Sequence, residues 1–205
     1  MAVANYLDSH GHYPPAWIAD ENGKPLLRWR VLILPYLDEQ TLFEQFDLTE
    51  PWDGPNNSKL LDQMPQTYRL HTIKDEHKSA SNYVAVVGEN TLWQEAEPRD
   101  QEFVSDGTSN TLMVAEYVGH VIPWTKPEDL LLDEIDLAVD SEKGICSILT
   151  PPAFATVNGV VRFLPTDTSP ESVRALLTAS GGEELDGLRF PSTEDGRLRR
   201  RKDDP

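Results

Sequence analysis

A chain of 205 residues, 39% hydrophobic and 26% charged, is long enough to build a continuous core without metal or disulfide support and has the balance of a globular protein. Its 18 basic residues face 35 acidic ones, a net charge of −17; five of the basic residues lie in Arg197 to Pro205, which leaves residues 1–196 with 13 basic and 33 acidic groups and a net charge of −20. Such a body repels phosphate backbones, which excludes nucleic acid as a partner, and Cys146 as the single cysteine excludes an intrachain disulfide and a cysteine-rich zinc site.

The first predicted element begins without a cap. Val3, Ala4, Tyr6 and Leu7 come directly after Met1 and Ala2 at helical spacing with no Ser, Thr, Asp or Asn ahead, so the helix reads as cut near its start. Gly11 offers a left-handed exit and Pro14–Pro15 forbid continuation. Asp20 to Pro25 is a turn centred on Asn22–Gly23. Leu26 to Leu34 read as a second helix, with Leu27, Val31 and Leu34 on one face and Leu26, Trp29 and Ile33 on the next, until Pro35 kinks it. Asp38 to Leu48 read as a third, carrying Leu42, Phe43 and Phe46, with Asp38 and Glu39 favouring its N-terminal end. The longest aliphatic run, Val31 to Leu34, is far short of the roughly 20 residues a membrane span needs.

Next comes a proline-bracketed loop with one short helix at Ser58 to Gln63. Gln66 to Ile73, Ser81 to Gly88 and Asn110 to Gly119 are rich in Tyr, Val and Thr and bounded by turn residues, which predicts strands; Ile145 to Leu149 is a fourth candidate. Ala153 to Leu164 predicts a β-hairpin around Asn158–Gly159, a dipeptide suited to a type I′ turn. Ser169 as N-cap, Pro170 at N1, apolar Val173, Leu176 and Leu177, and Gly181 as a stop predict a final helix. Early helices and later antiparallel strands make the fold class α+β.

Taken in order from about residue 4 to residue 182, "ANYLDSHGHYPPAW", "RWRVLILPYLDEQTLFEQFDLTEPWDGPNNSKLLDQMP", "SNYVAVVG", "DGTSNTLMVAE", "IPWTKPEDL" and "VNGVVRFLP" with a short helix after it resemble a large bacterial family of prepilin-like proteins of unknown function. Its members look like type II secretion pseudopilins, with an N-terminal methylation and cleavage segment, one long hydrophobic helix and an extracytoplasmic head. The resemblance implies that the first helix is the end of the pilin-type helix, with its membrane-spanning part absent; a natural paralogue without an anchor is the alternative. It implies a pilin-like fold in which the N-terminal helix packs on an antiparallel sheet with additional short helices and long loops. Residues 1–190 would form one head domain, and 191–205 a disordered basic tail. The chain departs from the family's C-terminal His-x9-Asp-Gly pattern, where Ile148, Asn158 and Gly159 stand, and Leu70 occupies a position where the family often has Cys.

Candidate binding residues are Asp106, Ser109 and Asn110 of "DGTSNT", together with Glu116 further along the same segment. Their side-chain oxygens could gather a ligand or cation, but the same groups suit a tight turn that satisfies its own backbone, and the spacing is not that of an EF-hand. His10 and His12 beside Asp8 invite a metal, yet no partner pair of ligands is visible, so no metal site is expected. The acidic stretch from Glu128 to Glu142 makes Ca²⁺ the one cation considered; no other cofactor is expected. The five tryptophans are core anchors or, in the binding reading, a sugar-contacting surface. No G-x-S-x-G, H-E-x-x-H or P-loop motif occurs, and no catalytic residue is assigned. The expected function is therefore that of a non-enzymatic, membrane-anchored extracytoplasmic structural or interaction protein with protein partners or self-assembly. The alternatives are an extracytoplasmic solute-, glycan- or Ca²⁺-binding module and, more remotely, a hydrolase using two carboxylates.

Overall fold

The computed structural model describes residues 1–70, 78–183, 185 and 190 and the backbone of 199–200. Gly11 ends the first helix, α1 (Ala2–His10), from a left-handed φ of 79°, its N–H reaching the Leu7 carbonyl at 2.7 Å. Strand β1 (Trp17–Ala19) turns through Asn22–Gly23 into β2 (Pro25–Arg28). Then come α2 (Trp29–Leu32), a 3-10 turn at Leu34–Leu37, α3 (Gln40–Phe43), and 3-10 turns at Asn57–Gln63 and Gln66–Tyr68. The remaining elements are β3 (Ala80–Ser81), β4 (Tyr83–Val84), β5 (Val86–Val87), β6 (Leu112–Glu116), β7 (Ile122–Pro123), β8 (Leu130–Leu131), β9 (Leu149–Thr150), β10 (Ala153–Thr156), β11 (Val161–Phe163), α4 (Pro170–Leu177) and β12 (Arg199–Arg200). The fold is α+β with short helices, and its sheets are antiparallel apart from the parallel pair β5–β8. No helix among the described residues is long and apolar enough to cross a membrane.

The chain divides into two compact units. The first comprises residues 1–82, 93–101 and 121–129. Here α1 buries Ala2, Val3 and Tyr6 and packs on the 3-10 turn Leu34–Leu37. The expected helix from Leu26 is instead a strand that becomes a helix only at Trp29. Leu27 pairs with Ile18 across β1–β2, the Leu26 carbonyl accepts from Trp52 N–H at 2.9 Å, and Trp29 N–H donates to Ala16 at 3.0 Å. The apolar positions are all buried as the pattern implies, but a short buried run cannot tell a helix from a strand.

The third expected helix is also shorter, since Asp38 sits at a left-handed φ of 63° and the last turn tightens to Phe46 N–H···O=C Phe43 at 3.0 Å. Ser58 to Gln63 is helical in the 3-10 sense. Gln66 to Tyr68 is a 3-10 turn rather than a strand, because Pro65 leads into it and Tyr68 N–H bonds back to the Pro65 carbonyl; residues 71–73 lie outside the described residues. The aromatic core is Trp124 against Phe46 and Tyr68, with ring centroids 5.7 and 5.9 Å away, and Trp29 against Trp93 at 4.9 Å. The Trp124 indole N–H, buried with its ring, donates to the Leu61 carbonyl at 3.0 Å.

The second unit comprises residues 83–92, 102–120 and 130–205. Its four-stranded sheet runs β11-β10-β6-β4, and α4 packs against β6, burying Val173, Ala175, Leu176 and Leu177. The strand expected over Ser81 to Gly88 is broken into three: β3, which pairs with β7 inside the first unit, and β4 and β5, which pair with β6 and β8 inside the second. Asn82 makes the first break, its N–H donating to the Tyr68 carbonyl and its side chain accepting from Leu70 N–H; the second falls at Ala85. The hairpin β10–β11 forms as expected, but its turn is not type I′. Gly159 alone is left-handed, at φ 82°, Gly159 N–H closes on Thr156 at 2.8 Å, and Thr156 N–H reaches Val160 at 3.0 Å, a type I turn with a glycine bulge.

Ser169 caps α4, accepting from Ser172 N–H at 3.2 Å, with Pro170 in the first turn. The helix leaves at Thr178, before Gly181, because Thr178 is extended and bridges to Thr91, and Ala179 N–H donates to Asn90 at 2.7 Å. Of the strand expected over Ile145 to Leu149 only Leu149 is in one, β9, which runs on to Thr150 and pairs with the backbone of Arg199–Arg200. The other residues of the tail, 191–198 and 201–205, lie outside the described residues.

Candidate functional site

A carboxylate before a glycine is the natural start of a turn, because its oxygens accept from backbone N–H groups that the turn leaves bare. Asp106 does this at long range. Its N–H donates to the Ala179 carbonyl at 3.1 Å, Oδ2 accepts from Gly181 N–H at 2.8 Å and Oδ1 from Gly182 N–H at 3.0 Å. Gly107 is next at φ 97°, and Asn110 closes the turn: its N–H donates to Gly107 at 2.9 Å and its Nδ2 to the Asp106 carbonyl at 3.1 Å. Ser109 Oγ donates to Asn110 Oδ1 at 3.4 Å, and Thr111 Oγ1 to Gly107 at 3.1 Å. Asp106, Ser109 and Asn110 are thus brought together, and both carboxylate oxygens are spent on the backbone that leaves α4. The arrangement ties that exit to the start of β6.

Glu116 is placed elsewhere, at the far end of β6 and opposite Tyr83 of β4. It is 8% exposed, and Oε2 accepts from Ala153 N–H at 3.0 Å where β10 begins. Burial first, and the Glu116 charge second, raise the Tyr83 hydroxyl pKa above its ordinary value.

Among the described residues no group of three or more His, Cys, Asp or Glu side chains converges as a metal would require. His10 stacks on Tyr6 at 4.1 Å, and His12 places its Nδ1 2.8 Å from the Tyr13 carbonyl. In the acidic stretch, Asp136 accepts from Ser141 Oγ and then from Ala138 N–H, whose hydrogen bonds, in that order, hold its carboxyl below the usual range, and Asp140 Oδ2 accepts from Thr150 Oγ1. Trp29, Trp93 and Trp124 are buried to 3% exposure or less, so they form core rather than a sugar-contacting surface.

Among the described residues, the densest ionic cluster is one that sequence patterning misses. Arg28 at the end of β2 and Arg30 in α2 flank Trp29, and all three converge on Asp129 in the first unit. Arg28 forms an ion pair with Asp129, Arg30 Nη2 lies 3.3 Å from Oδ1, and Trp29 Nε1 donates to Oδ2 at 3.0 Å. Arg28 Nη1 also donates to the Lys126 carbonyl at 2.9 Å, Arg30 Nε to Ser81 Oγ at 3.1 Å, and Tyr68 Oη to the Arg30 carbonyl at 2.6 Å. The three charged side chains are fully buried. Burial lowers the Arg30 pKa to about 9; it lowers that of Arg28 well below its ordinary value, with the Arg30 charge adding to the effect. The only signal in the sequence is two arginines inside an otherwise apolar run, and Asp129 is hidden among neighbouring acids. Chemically this is a brace that joins β2 and α2 to the segment before Asp129.

A family model described as "Protein of unknown function (DUF1559)" matches residues 1–74, so over that segment, less than half its length, the chain is similar to this family. No curated protein and no solved structure gives a significant match.

Proposed function

We propose that the chain is the extracytoplasmic, pseudopilin-like head of a membrane-anchored, non-enzymatic structural or interaction protein, and that it works by presenting a surface to protein partners or to its own kind in a type II secretion-like system. The observation that carries this reading is α1. It is a helix with Ala2, Val3 and Tyr6 buried on one face, docked on Leu34–Leu37, inside the segment that the family model matches. A rod that continues a membrane helix and rests one stripe on its head has this design.

The test is cell fractionation with the gene product expressed from its native start, and then protease added from outside. The product is expected to sediment with membranes and to become cleavable once the outer barrier is opened. Confinement to the soluble cytosolic fraction overturns the proposal.

A further inference from the structure

Two Asn-Gly pairs stand in exposed turns: Asn22–Gly23 between β1 and β2, and Asn158–Gly159 between β10 and β11. The glycines are conformationally matched, at φ 80° and 82°, and a Cβ on either would meet nothing within 4 Å. Their N–H groups are matched too, donating to Asp20 at 2.9 Å and to Thr156 at 2.8 Å. The difference is the hold on the asparagine side chain. Asn158 Oδ1 accepts from Thr156 Oγ1 at 2.7 Å and from Val160 N–H at 3.3 Å, and its own N–H donates to Thr108 at 3.0 Å. Asn22 donates its N–H to Asp20 Oδ1 at 2.8 Å, while its side-chain amide has no hydrogen-bond partner among the described residues.

We propose that Asn22 is a spontaneous deamidation site in the folded protein, and that Asn158, in the same dipeptide, is protected by the hydrogen bonds that hold its side chain. Hydroxide removes the Gly23 N–H proton, and the nitrogen bonds to Cγ of Asn22. The Cγ–Nδ2 bond breaks, and the amide nitrogen leaves as ammonia after taking a proton from water. Water then opens the resulting cyclic imide at either carbonyl, giving aspartate or isoaspartate. The net change is amide plus water to carboxylate plus ammonium, with no redox partner. The product adds a negative charge beside Asp20 and Glu21, and the isoaspartate form lengthens the backbone of the turn that sets the β1–β2 register.

The test is to age the full chain in mildly alkaline buffer, with and without denaturant, and to map the amide-to-acid mass change by peptide mass spectrometry. In the native protein Asn22 is expected to convert roughly tenfold or more faster than Asn158, the factor that two modest hydrogen bonds supply. In denaturant the two rates should converge. Thr156→Val should speed Asn158 and leave Asn22 unchanged. Equal native rates, a faster Asn158, an inert Asn22, or the native ratio persisting in denaturant would each overturn the proposal; the wild-type comparison stands even if the variant misfolds.

Discussion

Replacing Asp129 by alanine removes the carboxylate that sits between Arg28 and Arg30. Both guanidinium groups are fully buried and repel each other, and the Trp29 indole N–H would lose its acceptor at the same time. Breaking a buried ion pair from one side costs about 3–5 kcal/mol, and an orphaned indole N–H adds about 1 kcal/mol or more. A loss of roughly 4–6 kcal/mol is comparable with the whole stability of many domains, about 5–15 kcal/mol. With a urea m-value of about 2 kcal/mol/M, the midpoint falls by about 2–3 M. Urea unfolding monitored by tryptophan fluorescence reads this directly. The discriminating partner is Arg28→Met, which leaves one arginine facing one aspartate and replaces a buried charge by apolar volume; its expected loss is below about 2 kcal/mol. Should Asp129→Ala fail to fold, Asp129→Asn preserves shape and part of the Trp29 contact and should still lose more than Arg28→Met. The reasoning is refuted if Asp129→Ala costs less than about 1 kcal/mol, or if Arg28→Met is as damaging.

Three further outcomes are expected. Burial holds the Tyr68 hydroxyl pKa well above its ordinary 10.0, so above that pH the unfolded chain loses a proton that the folded chain keeps, and the Tyr68 contribution to stability falls with rising pH; relative to the wild type, Tyr68→Phe should shift the alkaline slope by about 1.4 kcal/mol per pH unit in pH-dependent urea titrations. Asp106→Ala frees the Gly181 and Gly182 N–H groups and should cost about 1–2 kcal/mol, with faster amide exchange at those two glycines. Ser169→Ala removes the α4 cap and should cost about 1 kcal/mol, with faster exchange at Ser172.

The parts of the fold legible in the sequence are those whose ends are written locally. Gly11 stops α1, Ser169 and Pro170 start α4, and Asn158–Gly159 turns β10 into β11, each through groups a few residues apart. The errors fall where a distant partner decides. Leu26 and Leu27 carry a helical pattern, but β1 and Trp52 claim their backbone. Asn82 splits β3 from β4 because Tyr68 and Leu70 reach it, and the second break, between β4 and β5, falls at Ala85, whose carbonyl accepts from Leu130 N–H. Thr178 leaves α4 three residues before the glycine stop because Thr91 bridges to Thr178 itself and Asn90 accepts from Ala179.

The same distinction governs the candidate site. A carboxylate, a hydroxyl and an amide at "DGTSNT" are the groups that would hold a ligand, and they are equally the groups that hold a turn, so local chemistry cannot separate the two uses. The Asp106 oxygens reach backbone 75 and 76 residues later, which no local pattern announces. Arg28 and Arg30 present the converse problem. Charge in a sequence reads as surface, since arginine and aspartate are rarely fully buried unless paired. Their partner Asp129 is 99 positions beyond Arg30 and embedded in an acidic run that hides it. The turn at Asp106 and the buried ionic brace are hard to read from sequence for one reason: in both cases the groups that hold the side chain are absent from the local sequence.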